Sequence, residues 1–186
     1  MTRPGAHGRF RLVLLCHGQS EWNARNWFTG WVNVILTAAG QREASSAGQC
    51  LTGNNLLPDL VHTSLQQRSI RTAELALAEC GRDWIPVRRS WRLNSNHYGA
   101  LQGRDKAAVR AEVGEQQLAL WRRSFDTLRA LVRHLRHLSD EQLASLDIPT
   151  GNPLAFELAE DMHPTGDGGR YLRPTASGLD AIIPDR

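Results

Sequence analysis

Short apolar runs alternate with amphipathic stretches along this chain, and that alternation predicts strands separated by helices. The strand-like runs are RLVLL (11–15), DLVHTS (59–64), WIPVRRS (84–90) and PLAFEL (153–158). The first run carries no polar alternation, which is typical of a strand buried on both faces. Pro86 inside the third run favours an edge position, because proline cannot donate to a neighbouring strand.

Helix boundary signals surround the amphipathic stretches. Thr37 stands where a helix N-cap is expected and Gly53 where that helix should stop, while Ser64 and Gly81 bracket a second helix. The stretch at 105–125 is helical in composition but contains a glycine, which weakens the prediction.

Two further helices follow towards the C-terminus. Residues 128–138 place leucines and a valine on one face and arginines on the other, and Ser139 with Gln142 forms a capping box for the next helix. Strands alternating with helices predict an α/β fold with a parallel-rich sheet and flanking helices.

Length and composition limit the number of domains and the classes of function that this chain can have. The chain has 186 residues, 41% hydrophobic and 22% charged, with a net charge of +3. These values predict one domain, over residues 11–172, with flexible tails at 1–10 and 173–186.

The weak, scattered positive charge suits small anions and argues against nucleic acid. Three widely spaced cysteines argue against a disulfide framework or zinc site, and no run is long enough to span a membrane, so we expect a cytoplasmic protein.

Candidate chemistry first appears in LVLLCHGQSEWN, residues 12–23. His17 follows the predicted buried strand, and Gly18 allows close approach of the backbone to a ligand. A neutral imidazole is a nucleophile towards phosphorus, and a following helix N-terminus offers N–H groups to phosphoryl oxygens. The alternative is a histidine that only satisfies hydrogen bonds at a strand end.

Further motifs extend this site. FTGW, LTAAG, TSLQQRSIRTA, HYGALQG and WRRSFD follow in this order. With them, nearly the whole chain after the first tail resembles the 2,3-bisphosphoglycerate-dependent phosphoglycerate mutases of the histidine phosphatase superfamily. The resemblance implies a three-layer fold and an isomerase-class phosphotransfer between 2- and 3-phosphoglycerate, in glycolysis or gluconeogenesis. It also implies 2,3-bisphosphoglycerate as the phosphoryl primer, phosphoglycerates as partners, and chemistry without a metal. Whether the protein forms a homo-oligomer is left open by the resemblance.

The resemblance assigns roles residue by residue. His17 matches the histidine that carries the phosphoryl group. The positions that match phosphate-binding or substrate-binding residues are Cys16, Gln19, Ser20, Asn23, Thr29, Gly30, Arg68, Tyr98, Lys106, Arg122 and Arg123. Arginines suit glycerate phosphates because a guanidinium binds a phosphate through two parallel hydrogen bonds.

Three departures from the family fall on its chemistry. The first departure is at Cys16, where the family has arginine. The second is at residues 95 and 96, where Ser95 stands in place of the family's proton-transferring glutamate and Asn96 in place of a phosphate-binding arginine. His97 is a conceivable substitute proton carrier, but the family already has a histidine there. A cysteine nucleophile of the Cys-x5-Arg kind is excluded, since the sixth residue after Cys16 is Trp22.

The third departure is a join at Thr127–Leu128, where the family has several dozen more residues. Those residues carry a second active-site histidine and an interior strand of the sheet. Loss of one charge-stabilising donor typically costs about 2.7–4 kcal/mol of barrier, and loss of acid–base help roughly 10²–10⁴ in rate. We therefore expect impaired activity, such as slow phosphohistidine formation. The alternative is a pseudoenzyme, a catalytically dead remnant that binds phosphorylated anions or a subunit of an intact relative.

Two other interpretations concern the helix at 128–138. Its basic face could suit a membrane surface or a calmodulin-type partner, but a packed helix with a solvated face is the favoured interpretation. His134 and His137 could ligate a metal, but no third ligand is in evident range, so surface histidines are preferred.

Overall fold

A computed structural model describes residues 10–122, 127–146, 148–166 and 168–174. The strands are β1 (Phe10–Leu14), β2 (Val61–Thr63), β3 (Val87–Arg89), β4 (Leu154–Leu158) and β5 (Arg170–Tyr171). The helices are α1 (Glu21–Ala24), α2 (Ala38–Gly53), α3 (Gln67–Glu79), α4 (Lys106–Arg122), α5 (Thr127–Arg136) and α6 (Asp140–Ser145). Short 3₁₀ turns lie at Trp91–Leu93 and Gly99–Leu101. The alternation confirms the α/β class with flanking helices.

The strand directions are mixed rather than mainly parallel. β4 pairs with β1 in antiparallel register, from Phe10 opposite Leu158 to Leu14 opposite Leu154, and β5 adds antiparallel to β4. β2 and β3 are parallel. A backbone bond between distant residues marks where these two strands meet: Gly151 N donates to Cys16 O at 3.0 Å, so β4 starts beside the end of β1 and runs back along it.

A break separates the two groups of strands. Among the described residues the ladders are β1-β4-β5 and β2-β3, and no ladder joins them. That the sheet lacks an interior strand of the family stays a prediction. The two groups are connected instead through side chains that meet at the end of β1, which are described below.

One residue of each predicted tail makes contacts with the rest of the described structure. Phe10, assigned to the first tail, opens β1 and pairs with Leu158. Arg173, assigned to the second tail, donates its N–H to Asn152 Oδ1 at 3.2 Å and its guanidinium to Ser46 Oγ at 2.8 Å. Residues 1–9 and 175–186 lie outside the described residues. The domain therefore reaches at least from Phe10 to Arg173.

Helix ends follow the predicted caps, with one exception. Thr37 Oγ1 accepts from Gly40 N at 3.0 Å, and Ser139 and Gln142 form the expected capping box. Ser64 does not cap α3: its hydroxyl accepts from Gln66 N, and the helix begins at Gln67 without a side-chain cap. The short turn at Ser64 uses the hydroxyl that a helix cap would need, so the helix starts later.

The larger hydrophobic core lies between β1, β4 and α5. The apolar face of α5 packs here, as the interpretation of a packed helix requires, although the helix ends at Arg136 rather than at Leu138. The buried members are Leu14, Val132, Leu138, Leu143, Leu146, Leu154, Phe156, Leu158 and Tyr171. A smaller cluster of Phe28, Val109 and Leu118 holds α4, which is broken at Gly114 (φ 82°). Within the described ranges, no helix has the length and apolar character needed to cross a membrane.

Candidate active site

The loop that carries His17 is held by backbone contacts to three neighbouring segments. Cys16 O accepts from Gly151 N, Gly18 N donates to Thr72 Oγ1 of α3 at 3.0 Å, and Gln19 N donates to Glu43 Oε2 of α2 at 2.8 Å. These contacts leave the loop little freedom, although it contains no regular structure. The backbone that carries His17 is therefore fixed at the end of β1.

Close packing of two glycines brings this loop onto α2. A Cβ added at Gly18 would meet Gly40 O at 2.1 Å, and a Cβ added at Gly40 would meet Gln19 O at 2.1 Å. Real Cβ atoms essentially never come within 3.0 Å of such atoms. Glycine is required at both positions, because any side chain would push the loop away from the first turn of the helix.

The hydrogen bonds of His17 define its tautomer. Nδ1 lies 2.8 Å from Gly18 O, and a carbonyl oxygen only accepts, so Nδ1 carries the proton. Nε2 in turn accepts from Arg68 Nε at 3.0 Å. Burial, then the positive charge of Arg68, lowers the pKa of His17 from 6.5 to about 4, against an opposing effect of the Gly18 hydrogen bond. The ring is thus neutral near pH 7, with its lone pair on Nε2.

Arg68 is the largest fully buried side chain of the described residues, with 1% of its surface exposed. It lies in the first turn of α3, and its guanidinium donates to Val32 O at 3.0 Å and Gly30 O at 2.9 Å. It also donates to Gln66 Oε1 at 2.8 Å. These oxygens fix the guanidinium plane beside the imidazole. A guanidinium held in this position suits the binding of a phosphate group beside His17.

Other predicted site residues lie around this pair in two groups. Ser20 and Asn23 bond to each other in the capping box of α1, and Gln19 Oε1 accepts from Thr37 Oγ1 at 2.9 Å. Thr29 is half-buried beside Gly30, whose φ of 58° and close contacts with Asn96 O and the Tyr98 ring need glycine.

The second group surrounds the Phe28 ring. The Tyr98 ring lies 5.1 Å from it, and Lys106 Nζ lies 6.0 Å from its centroid. Arg122 ends α4, and Arg123 lies outside the described residues. The structure thus brings Arg68 directly to His17, with Gly30 O bonded to Arg68 and the Tyr98 ring beside Gly30.

Ser95, which the resemblance matches to the family's glutamate, lies close to this cluster. Its N–H donates to Gln66 Oε1 at 3.3 Å, the same oxygen that accepts from Arg68, and its carbonyl accepts from Trp31 Nε1 at 2.7 Å. Thr127, the first residue of α5, bonds Asn94 O at 3.0 Å. His97 packs its ring against Trp31, at 5.6 Å between centroids.

Sequence reasoning missed Gln66, Thr72 and Glu43. Thr72 and Glu43 anchor the His17 loop, and Gln66 connects Arg68 with the residue 95 segment. Gln66 and Gln67 are adjacent and identical in type, yet Gln66 is 4% exposed while Gln67 faces solvent. No periodicity in the sequence separates them.

The described residues contain no group of three or more histidine, cysteine or acidic side chains that could hold a metal ion. His134 is exposed, and His137 stacks on His163 with ring centroids 6.3 Å apart. No disulfide links the three cysteines, which all lie in the described ranges.

Known proteins resemble this chain in sequence. Residues 12–140 match the family model described as the histidine phosphatase superfamily, branch 1. A 2,3-bisphosphoglycerate-dependent phosphoglycerate mutase of Streptomyces avermitilis is 43% identical over 238 residues, covering 92% of this chain and 94% of that protein. The Thermobifida fusca protein of the same name is 40% identical over 232 residues, covering 89% and 94%. Both alignments are longer than the 186-residue chain, so the relatives contain segments without a counterpart here.

Solved structures share the fold. A mycobacterial glucosyl-3-phosphoglycerate phosphatase, solved as a complex with VO3, superposes with a TM-score of 0.68 at 20% identity, covering 89% of this chain and 97% of that one. The α-ribazole phosphatase of Shigella flexneri gives 0.67 at 19% identity, with 84% and 94% covered.

Proposed function

This chain belongs to the histidine phosphatase superfamily, and we propose that it transfers phosphoryl groups of phosphoglycerates through a phosphohistidine at His17. The observation that carries the proposal is the state of the imidazole: Nδ1–H bonded to Gly18 O, and Nε2 facing the buried Arg68. The lowered pKa keeps the ring neutral and nucleophilic over the physiological range.

The proposed step is an in-line displacement at phosphorus. A bond forms between His17 Nε2 and phosphorus as the bond from phosphorus to the ester oxygen breaks, and the electron pair leaves with that oxygen, which takes a proton from water. Gly18 O stays bonded to Nδ1–H and stabilises the positive charge that develops on the ring. 2,3-Bisphosphoglycerate supplies the phosphoryl group when bound, and no metal is needed.

Arg68 has two consequences for this step. Its positive charge lies where the phosphoryl oxygens would gather charge, which lowers the barrier. Its bond to Nε2 also occupies the lone pair that attacks, so that bond opens before transfer. Arg68 is anchored by Val32 O and Gly30 O, so a small rotation of the ring is the simpler way to open it.

We propose that turnover is slower than in the mutase relatives. Position 95 is close to the cluster but carries a hydroxyl that transfers protons poorly, and Cys16 supplies no guanidinium. The segments that the relatives have and this chain lacks are assigned to the join at Thr127–Leu128, with the second histidine among them. A catalytically dead anion-binding remnant is the second candidate, because the nucleophilic nitrogen is occupied by Arg68 in this structure.

The names of the relatives favour 2- and 3-phosphoglycerate as substrates, and hence a role in glycolysis or gluconeogenesis in the cytoplasm. The phosphate clamp proposed from the resemblance includes Tyr98, Lys106, Arg122 and Arg123 in addition to Arg68.

The test is direct detection of the phosphohistidine. Purified chain is incubated with ³²P-labelled 2,3-bisphosphoglycerate, and an acid-labile, base-stable adduct is mapped by peptide. We expect label on the peptide with His17, its loss in His17→Asn, and its retention in His62→Asn, an exposed histidine. Label without isomerisation supports slow transfer, and no label with retained phosphoglycerate binding supports the anion-binding remnant. Label that persists in His17→Asn contradicts both.

A further inference from the structure

Gln66 is a buried polar residue that none of the motifs assigns to the site. It directly precedes α3 with 4% of its surface exposed, and its side chain does not cap the helix. Instead the carboxamide points towards the Gly30 turn, where three segments of the chain meet.

The carboxamide forms a closed set of hydrogen bonds with Arg68 and Gly30. Gln66 Nε2 donates to Gly30 O at 2.8 Å, and Gln66 Oε1 accepts from an Arg68 terminal nitrogen at 2.8 Å. That same nitrogen also donates to Gly30 O at 2.9 Å. Three groups thus share one ring of bonds, and each fixes the orientation of the other two.

The carboxamide oxygen of Gln66 also accepts a hydrogen bond from the segment that contains Ser95. Oε1 also accepts from Ser95 N at 3.3 Å, so the segment that replaces the family's glutamate is tied to the same atom as Arg68. The partners decide which end is oxygen, because Oε1 faces two N–H groups and Nε2 faces a carbonyl.

Few side chains fit these requirements. The position needs an acceptor for two donors and a donor for one carbonyl, all buried. Leucine would leave the donors without Oε1, and glutamate would place a carboxylate oxygen against Gly30 O. The neighbouring Gln67 is exposed and meets none of these demands, so it provides a matched control.

We propose that Gln66 is a positioning residue that holds the Arg68 guanidinium against His17 Nε2 and couples the Ser95 segment to that contact. The effect of Gln66 on phosphoryl transfer rests on the proposed function, whereas its effect on the contact between Arg68 and His17 does not. Arg68 Nε reaches His17 Nε2 at 3.0 Å only while the guanidinium plane is fixed, and Gln66 Oε1 holds a terminal nitrogen of that plane at 2.8 Å.

The primary experiment measures the state of the His17 imidazole directly. Two-dimensional ¹H–¹⁵N NMR of ¹⁵N-histidine-labelled full-length chain measures the tautomer and pKa of His17. We expect the Nδ1–H form in the unmodified chain and in Gln67→Leu. In Gln66→Leu we expect a mixture of tautomers and a pKa higher by about one unit, because a displaced guanidinium admits water and lowers the local positive charge.

Two further variants keep the test decisive. Gln66→Glu preserves the acceptor and should keep the tautomer but raise the pKa of His17, since the carboxylate offsets the charge of Arg68. In a double-mutant cycle with Arg68→Lys, Gln66→Leu should add little, because both changes act through the same guanidinium. If Gln66→Leu fails to fold, Gln66→Met, which also lacks the carboxamide oxygen, carries the tautomer test in its place.

An unchanged His17 tautomer and pKa in a folded Gln66 variant overturns the proposal, and so do equal changes in Gln66→Leu and Gln67→Leu. Where the unmodified chain forms the ³²P adduct, Gln66→Leu should slow its formation about tenfold and Gln67→Leu less than twofold. Absence of any adduct would count against the proposed function, whereas the NMR measurement tests the positioning role of Gln66 independently of phosphoryl transfer.

Discussion

Replacing Gly40 by alanine should destabilise the protein and move the His17 loop. The added Cβ would lie 2.1 Å from Gln19 O and 2.7 Å from Gln19 N, against a nearest normal approach of 3.0 Å. Both atoms are backbone, so the loop or α2 has to shift by close to an ångström. Overpacking costs about 1–3 kcal/mol, and the rigid neighbours favour the upper end. The better helix propensity of alanine offsets about 1 kcal/mol, which leaves a net loss of about 2 kcal/mol.

Gly53 offers a matched control in the same helix. A Cβ there meets nothing within 4 Å, so Gly53→Ala should stabilise the protein by about 0.5 kcal/mol through propensity alone. Urea unfolding followed by far-UV circular dichroism measures both variants, with equal m-values as the condition for comparison. His17 NMR shifts should move in Gly40→Ala and not in Gly53→Ala. Equal stability of the two variants would refute the reasoning.

Further expectations concern pH, proton transfer and metal dependence. His17 has a folded-state pKa of about 4 and an unfolded value of 6.5, so the unfolded chain binds the extra proton between these values and stability falls as pH drops from about 6.5 to about 4. His17→Gln should flatten that part of the stability profile, and a profile unchanged by the substitution would contradict a neutral buried ring. Ser95→Glu should speed transfer from ³²P-labelled 2,3-bisphosphoglycerate about 100-fold by supplying a proton carrier, whereas Ser95→Ala should change the rate less than twofold. Chelation with EDTA should leave adduct formation unchanged, and a loss restored by Mg²⁺ would contradict metal-free chemistry.

Local signals in the sequence predicted most elements of the fold. β1, the Thr37 cap, the Ser139 capping box and the apolar face of α5 depend on residues close together in the chain, and all appear in the structure. The prediction that the first strand is buried on both faces is wrong: among the described residues β1 lies at the edge of its ladder, and Phe10 is 46% exposed. Strand direction depends on contacts between distant residues. The Gly151–Cys16 bond that makes β4 run antiparallel to β1 has no local signature, and neither has the short strand β5.

The candidate site, too, was predictable only where local sequence motifs identify the residues. His17 and Arg68 were identified through motifs, and the structure brings them into contact. The hydrogen-bond ring of Gln66 could not be read from the sequence, because the burial that distinguishes it from Gln67 arises only when the Gly30 turn folds over α3. The tautomer of His17 likewise depends on the carbonyl direction at Gly18 rather than on residue type.

The pairing of β1 with β4 has a consequence for the order of assembly during synthesis. Leu14 pairs with Leu154 and Phe10 pairs with Leu158, so β1 stays without this ladder until residues 154–158 have emerged from the ribosome. Contacts so distant along the chain form late and slowly. The imidazole at the end of that strand is therefore among the last parts of the nascent polypeptide to reach its final surroundings.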